Sequence, residues 1–119
     1  MNILFVCGKN LSRSPTAEMI YKDHSDLNVK SAGTEPSTGK EQSAGSEQST
    51  ATELTAENIN WSDLIFAMED KHKQTMIEKF PFEIEQKKIV VLDIPDKYKY
   101  MDDELIQEIK IKVNKYIDK

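Results

Sequence analysis

Four short apolar runs recur along the chain, and segments with the spacing of amphipathic helices separate them. The runs cover residues 3–6, 27–31, 64–68 and 88–92. Each is about as long as a β-strand, and the first lacks the polar alternation of a strand with one solvated face. Strands that alternate with helices favour right-handed crossovers. The pattern therefore predicts an α/β fold, with a doubly wound, four-stranded parallel sheet and helices on both faces.

The intervening segments carry recognisable helix starts and stops. A helix is predicted from Ser14 to about residue 24, because Ser can cap a helix and proline suits the first turn. A short helix should follow Thr55, and a longer one should cover residues 69–80 and end before Pro81. Apolar residues at helical spacing predict a C-terminal helix from residue 105 to residue 117.

Residues 30–53 contain no Val, Leu, Ile, Met or aromatic residue. Such a stretch buries too little apolar surface to offset the entropy of ordering it. It also holds a near-repeat, SAGTEPST at residues 31–38 and SAGSEQST at residues 43–50. We therefore predict one domain spanning residues 1–119, with a low-complexity polar loop at residues 35–53.

Composition narrows the possible functions. The 119 residues are 38% hydrophobic and 31% charged, as in ordinary globular proteins. A net charge of −5 argues against nucleic-acid binding, which needs surplus Lys and Arg. No apolar run approaches the length of a membrane span, and the first residues lack the features of a signal peptide. A single cysteine excludes an internal disulfide and a multi-cysteine zinc site, so we expect a cytoplasmic protein.

The predicted sheet places chemically useful residues at one edge, since ligands of such sheets bind outside the carboxyl ends of the strands. Cys7 ends the first strand, and the acidic loop at residues 93–96 follows the fourth. The loop after Cys7 opens a helix, so its N–H groups and the helix dipole favour an anion and a thiolate. Arg13 can donate two hydrogen bonds to a phosphoryl group. Ser14 can donate its hydroxyl to the sulfur.

A strand, the motif Cys-x5-Arg-Ser and a helix resemble the signature loop of the low-molecular-weight protein tyrosine phosphatases. The similarity continues through SRSPTAE at residues 12–18, SAGT at residues 31–34 and DIPDKY at residues 93–98, and it omits only residues 35–53. The resemblance implies a flavodoxin-like topology and a phosphomonoester hydrolase that acts through a phosphocysteine without a metal or other cofactor. The implied substrate is a phosphotyrosine protein or a small aryl phosphate, with no nucleic-acid or membrane partner.

The same resemblance implies roles for individual residues. Cys7 would be the nucleophile, Arg13 would bind the substrate and the transition state, and Asp96 would be the general acid. Tyr98 would either stack on an aromatic phosphoester or cover the sheet edge. The remaining phosphate-binding candidates are the other residues of the loop, namely Gly8, Lys9, Asn10, Leu11, Ser12 and Ser14.

Three positions depart from the family pattern. Ser12 stands where members usually carry a second cysteine, Lys9 replaces a usual glycine, and Lys97 follows Asp96 where a proline is usual. These changes affect the oxidation chemistry, the pocket rim and the assignment of the acid, respectively. The alternative acids are Asp93, Asp102 and Asp103.

Three other functions fit parts of the pattern. An arsenate reductase shares the loop but needs further cysteines, which the sequence lacks. A phosphocysteine subunit of sugar transport has no need of Arg13 or Asp96. A phosphate- or phosphopeptide-binding module with a shortened pocket wall remains the main alternative.

His24 and His72 lie in helical patterns without a cysteine partner, and we assign both to surface or half-buried positions.

Overall fold

The computed structural model describes residues 1–9, 12–34 and 53–117. These residues form four strands and five helices in the predicted alternation. The elements are β1 (Asn2–Cys7), α1 (Arg13–Tyr21), β2 (Asn28–Gly33), α2 (Ala56–Trp61), β3 (Leu64–Ala67), α3 (Asp70–Lys79), α4 (Pro81–Ile84), β4 (Lys88–Val91) and α5 (Asp103–Ile117).

The strands form one parallel sheet in the order β2-β1-β3-β4. The predicted four-stranded α/β architecture is confirmed. The chain leaves β1 toward β2 on one side and later returns to β3 on the other side. Such a reversal opens a crevice beyond the carboxyl ends of the two central strands, and Cys7 lies at that end of β1.

The sheet is covered on both faces, because alternate residues of each strand point to opposite sides. On one face, Phe5 and Phe66 stack at a centroid distance of 5.5 Å and pack with residues of α1 and α5. On the other face, Leu4 and Ile65 pack with residues of α2, α3 and α4. Two apolar cores therefore fix β1 and β3, and with them the loops that follow their carboxyl ends.

Some element boundaries differ from the predicted ones. Helix α1 begins at Arg13 with Ser12 as its N-cap residue, two residues earlier than a cap at Ser14 would give. Pro81 ends α3 as predicted, but it also starts the short helix α4, because proline is well suited to a first helical turn.

Residues 35–52 of the predicted polar loop lie outside the described residues. Glu53, the last residue of this stretch, forms an isolated parallel β-bridge with Gly33 at the end of β2. The neighbouring Leu54 is buried and donates its N–H to the carbonyl of Gly33. Within the described ranges, no helix has the length and apolar character that crossing a bilayer requires.

Candidate active site

Cys7 lies at the carboxyl end of β1 and is almost fully buried. Its Sγ is 3.0 Å from the Oγ of Ser14, within hydrogen-bond distance. Ser14 is in the first turn of α1, and side chains of a helix lean toward its N-terminus. The start of α1 therefore brings the Ser14 hydroxyl to the sulfur.

Arg13 connects three elements of the fold. It is 3% exposed, and its Nη1 donates to Oε1 of Glu69 and to the carbonyl of Ile94, both at 2.8 Å. The hydrogen bond from Arg13 is the main reason why the pKa of Glu69 lies below its ordinary value. The Nε of Arg13 is 3.8 Å from Oδ1 of Asp96 and has no hydrogen-bond partner in the described part of the chain.

His72 is buried beside this cluster. Its Nδ1 accepts the N–H of Glu69 at 3.1 Å, which holds the ring at the start of α3. Burial, followed by the charge of Arg13, lowers the pKa of His72 from 6.5 to about 4. The imidazole is therefore neutral near pH 7, and because Nδ1 accepts a hydrogen bond, the proton is on Nε2.

Two adjoining cavities lie over these residues. The smaller one, about 100 Å³, reaches Cys7 and Ser12. The larger one has a volume of about 320 Å³. Lys9, Arg13 and Asp96 line both cavities. The larger cavity is further lined by Gly8, Thr34, Lys71, His72 and Thr75.

Most of the predicted site residues meet at these cavities. Asp96 lines both of them with a side chain that is 61% exposed, although it follows β4 in a separate loop. Asp93 lines neither cavity, and Asp102 accepts the N–H of Glu104 at the start of α5. Asn10 and Leu11 lie outside the described residues.

Tyr98 does not line either cavity. Its ring packs against the core, and its hydroxyl donates to Oε1 of Glu108 on α5 at 2.8 Å. This hydrogen bond is the main reason why the pKa of Tyr98 is raised to about 12. Of the two roles predicted for Tyr98, the structure supports covering the sheet and gives no support to stacking on a substrate.

The sequence interpretation missed Glu69 and His72. It assigned His72 to a surface or half-buried position, which is wrong: the ring is 2% exposed and faces the larger cavity. Both residues follow β3, which is the direct neighbour of β1 in the sheet. Their position just after the third apolar run was a signal that the carboxyl-edge rule could have used. The described residues contain no cluster of three or more His, Cys, Asp or Glu that could bind a metal.

Comparison with known proteins gives this arrangement a family. The family model described as low molecular weight phosphotyrosine protein phosphatase matches residues 2–112. The chain belongs to this family. The resemblance inferred from the sequence is thereby confirmed, as is the predicted fold of a cysteine-dependent phosphatase.

Individual relatives are described as phosphatases of different phosphorylated residues. A protein-arginine-phosphatase of Bacillus subtilis (strain 168) is 30% identical over 95 residues, which is 67% of this chain and 63% of that protein. The match thus spans less than two thirds of that relative. The YwlE arginine phosphatase from Geobacillus stearothermophilus has 30% identity and a TM-score of 0.69, covering 92% of this chain and 88% of that one. A low molecular weight protein tyrosine phosphatase from T. tengcongensis has 28% identity and a TM-score of 0.73, covering 97% and 99%.

The low pKa of His72 predicts a loss of stability in mild acid. The folded value of about 4 lies below 6.5, so the unfolded chain binds more protons between these two pH values. The free energy of unfolding should therefore fall by roughly 2–3 kcal/mol as the pH drops through this window. Chemical denaturation at pH 7 and pH 4.5 measures the loss, and His72→Asn should reduce it. Equal losses in both proteins would contradict the prediction.

Proposed function

We propose that this protein is a metal-independent phosphatase that removes phosphoryl groups from protein side chains through a phosphocysteine intermediate. The observation that carries the proposal is the small cavity at Cys7. There, a sulfur within hydrogen-bond distance of Ser14 shares the cavity with Arg13, whose Nε has no partner among the described residues. Buried N–H donors are normally paired, so an anion at this position would satisfy the guanidinium.

In the first step, the Cys7 thiolate attacks phosphorus, the S–P bond forms and the ester P–O bond breaks. Asp96 gives its proton to the leaving oxygen, a role that its position in the lining of both cavities beside Arg13 supports. Arg13 and the N–H groups of the loop stabilise the equatorial oxygens as charge develops on them. The leaving alcohol or phenol then departs through the larger cavity.

In the second step, water attacks the phosphocysteine while the Asp96 carboxylate accepts its proton. The S–P bond breaks, inorganic phosphate forms, and the Cys7 thiolate is regenerated. The hydroxyl of Ser14 lies 3.0 Å from this sulfur and can donate to the thiolate as it leaves. A cytoplasmic setting is part of the proposal, because reducing conditions keep such a thiol available.

Phosphotyrosine is the first proposed substrate class, and it rests on the family. Phosphoarginine is the second candidate. It is supported by two relatives of 30% identity that are described as arginine phosphatases. It is also supported by the larger cavity, whose described lining residues include no Phe, Tyr or Trp that could stack on a phenyl ring. With phosphoarginine, a P–N bond would break, and Asp96 would protonate the departing nitrogen.

Turnover of p-nitrophenyl phosphate in the presence of EDTA tests the proposed activity. We expect hydrolysis that vanadate inhibits strongly and phosphate inhibits weakly, because vanadate resembles the transferring group. Cys7→Ser should abolish turnover. Ser43→Ala, which removes a serine hydroxyl in the polar stretch far from Cys7 in sequence, is the control and should not abolish it. Peptides of one sequence that carry phosphotyrosine or phosphoarginine then decide the substrate class. Binding of phosphate without any turnover would instead support the binding-module alternative.

A further inference from the structure

His72 carries a buried hydrogen-bond donor that the proposed chemistry does not use. The side chain is 2% exposed, and its Nε2 has no hydrogen-bond partner among the residues that the structure describes. A buried donor without a partner lowers the stability of the folded protein. Native structures rarely retain such a group unless it serves a ligand or a bound water.

The ring is held with its proton on the nitrogen beside Gly8, a residue that lines the larger cavity. Its Nδ1 accepts the N–H of Glu69, which places the proton on Nε2. Burial keeps the ring neutral near pH 7, with a pKa of about 4. Nε2 is therefore a fixed neutral N–H donor, and it does not depend on protonation of the ring.

Nε2 of His72 lies away from the place that a phosphoryl group on Cys7 would occupy. A Cβ built on Gly8 would lie 3.4 Å from Nε2, so the absence of a side chain at Gly8 leaves the space in front of the ring open. His72 lines the larger cavity, whereas Cys7 lines only the smaller one. A phosphoryl group at Cys7 would therefore leave the rest of the substrate in the larger cavity, beside His72.

The walls of the larger cavity indicate what this part of the substrate offers. Thr34, Lys71 and Thr75, which have polar side chains, line it together with His72. Arg13 and Lys71 line the same cavity and suit the charged groups of a substrate, which leaves the neutral N–H of His72 for an uncharged acceptor. The carbonyl oxygen is the uncharged acceptor that every peptide bond supplies. An aryl ring without such a group would leave the donor unpaired.

We propose that Nε2–H of His72 donates a hydrogen bond to a main-chain carbonyl oxygen of a phosphorylated peptide, next to the modified residue. His72 is then a specificity residue that favours protein substrates over small phosphate esters. This inference rests on the proposed function, since it takes the phosphoryl group to be at Cys7.

The test measures binding to the inactive Cys7→Ser protein, with and without His72→Asn. Asparagine should keep the start of α3, because Asn58 occupies the same helix position in α2 and accepts the N–H of Thr55. The probes are a phosphotyrosine peptide, a phosphoarginine peptide, phenyl phosphate and inorganic phosphate. We expect His72→Asn to raise the Kd of the peptide that binds by about fivefold to tenfold. The Kd values of phenyl phosphate and inorganic phosphate should change less than twofold.

The chain offers a matched control in its other histidine. His24 is exposed, and its Nδ1 also accepts a backbone N–H, that of Asp26, at 3.3 Å. His24→Asn should leave every Kd unchanged. Equal rises for the peptide and for inorganic phosphate would overturn the proposal, as would an unchanged peptide Kd or no binding of either peptide. Failure of the proposed function is a separate result, namely an absence of turnover by the protein with Cys7 intact.

Discussion

Arg13→Lys should lower turnover of aryl phosphates by about 10³-fold, although the positive charge is retained. A lysine ammonium cannot donate two parallel hydrogen bonds to a phosphoryl group, and loss of one preorganised donor alone typically costs 10²- to 10³-fold. The lysine ammonium also cannot reproduce the two hydrogen bonds that Nη1 of Arg13 donates to Glu69 and Ile94. Steady-state kinetics with p-nitrophenyl phosphate give the change in kcat, and vanadate inhibition should weaken in parallel.

A control variant shows whether the loss of turnover is specific to the guanidinium group of Arg13. Arg13 is the only arginine in the sequence, so no other side chain can supply the same planar group. Lys71→Arg alters a cation of the larger cavity without touching the small one, and it should change turnover less than threefold. Near wild-type turnover by Arg13→Lys would remove Arg13 from its proposed role.

Asp96→Asn should lower kcat for aryl phosphates by roughly 10²- to 10⁴-fold, the usual contribution of a general acid. Asparagine has no proton to give to the leaving oxygen, whereas phosphate binding should persist. The loss should shrink as the leaving group becomes more acidic, because a stable phenolate needs less protonation. A series of substituted phenyl phosphates measures this dependence.

Asp93→Asn is the matched control for this experiment. Asp93 is in the same loop, lines neither of the two cavities and adopts a φ of 57°, which asparagine also tolerates. It should retain most of the activity. If Asp96→Asn left turnover almost unchanged and Asp93→Asn greatly lowered it, Asp93 would be the general acid. The lysine at position 97 would then have led to a wrong alignment of this loop with the family pattern.

The sequence pattern was sufficient for the fold and for the residues at the carboxyl ends of β1 and β4. Apolar runs separated by amphipathic segments leave few topologies open, because parallel strands need right-handed crossovers. Cys7 and Ser14 are seven residues apart, so local backbone geometry alone brings them together. Asp96 was harder to assign as the general acid, since four aspartates occur near the end of β4. Only the packed structure shows which of them lines the cavities.

The pairing of Arg13 with Glu69 could not be read from the chain. The two residues are 56 positions apart, and the contact depends on β3 lying beside β1 rather than at an edge of the sheet. Strand order follows from tertiary packing, which periodicity does not encode. Burial of His72 was missed although it lies at helical spacing from Met68 and Met76, because histidine is a polar residue that is usually only partly buried.

The anchoring of the acid-bearing loop has an entropic consequence. The helix that begins at Arg13 holds this loop at both ends: Arg13 binds the carbonyl of Ile94, and Thr16 accepts the N–H of Met101 at 2.8 Å. Restricting a loop residue to one conformation costs about 1–2 kcal/mol. Here this free energy is lost when the protein folds and not when the substrate binds. Substrate binding therefore does not have to order the segment that carries Asp96.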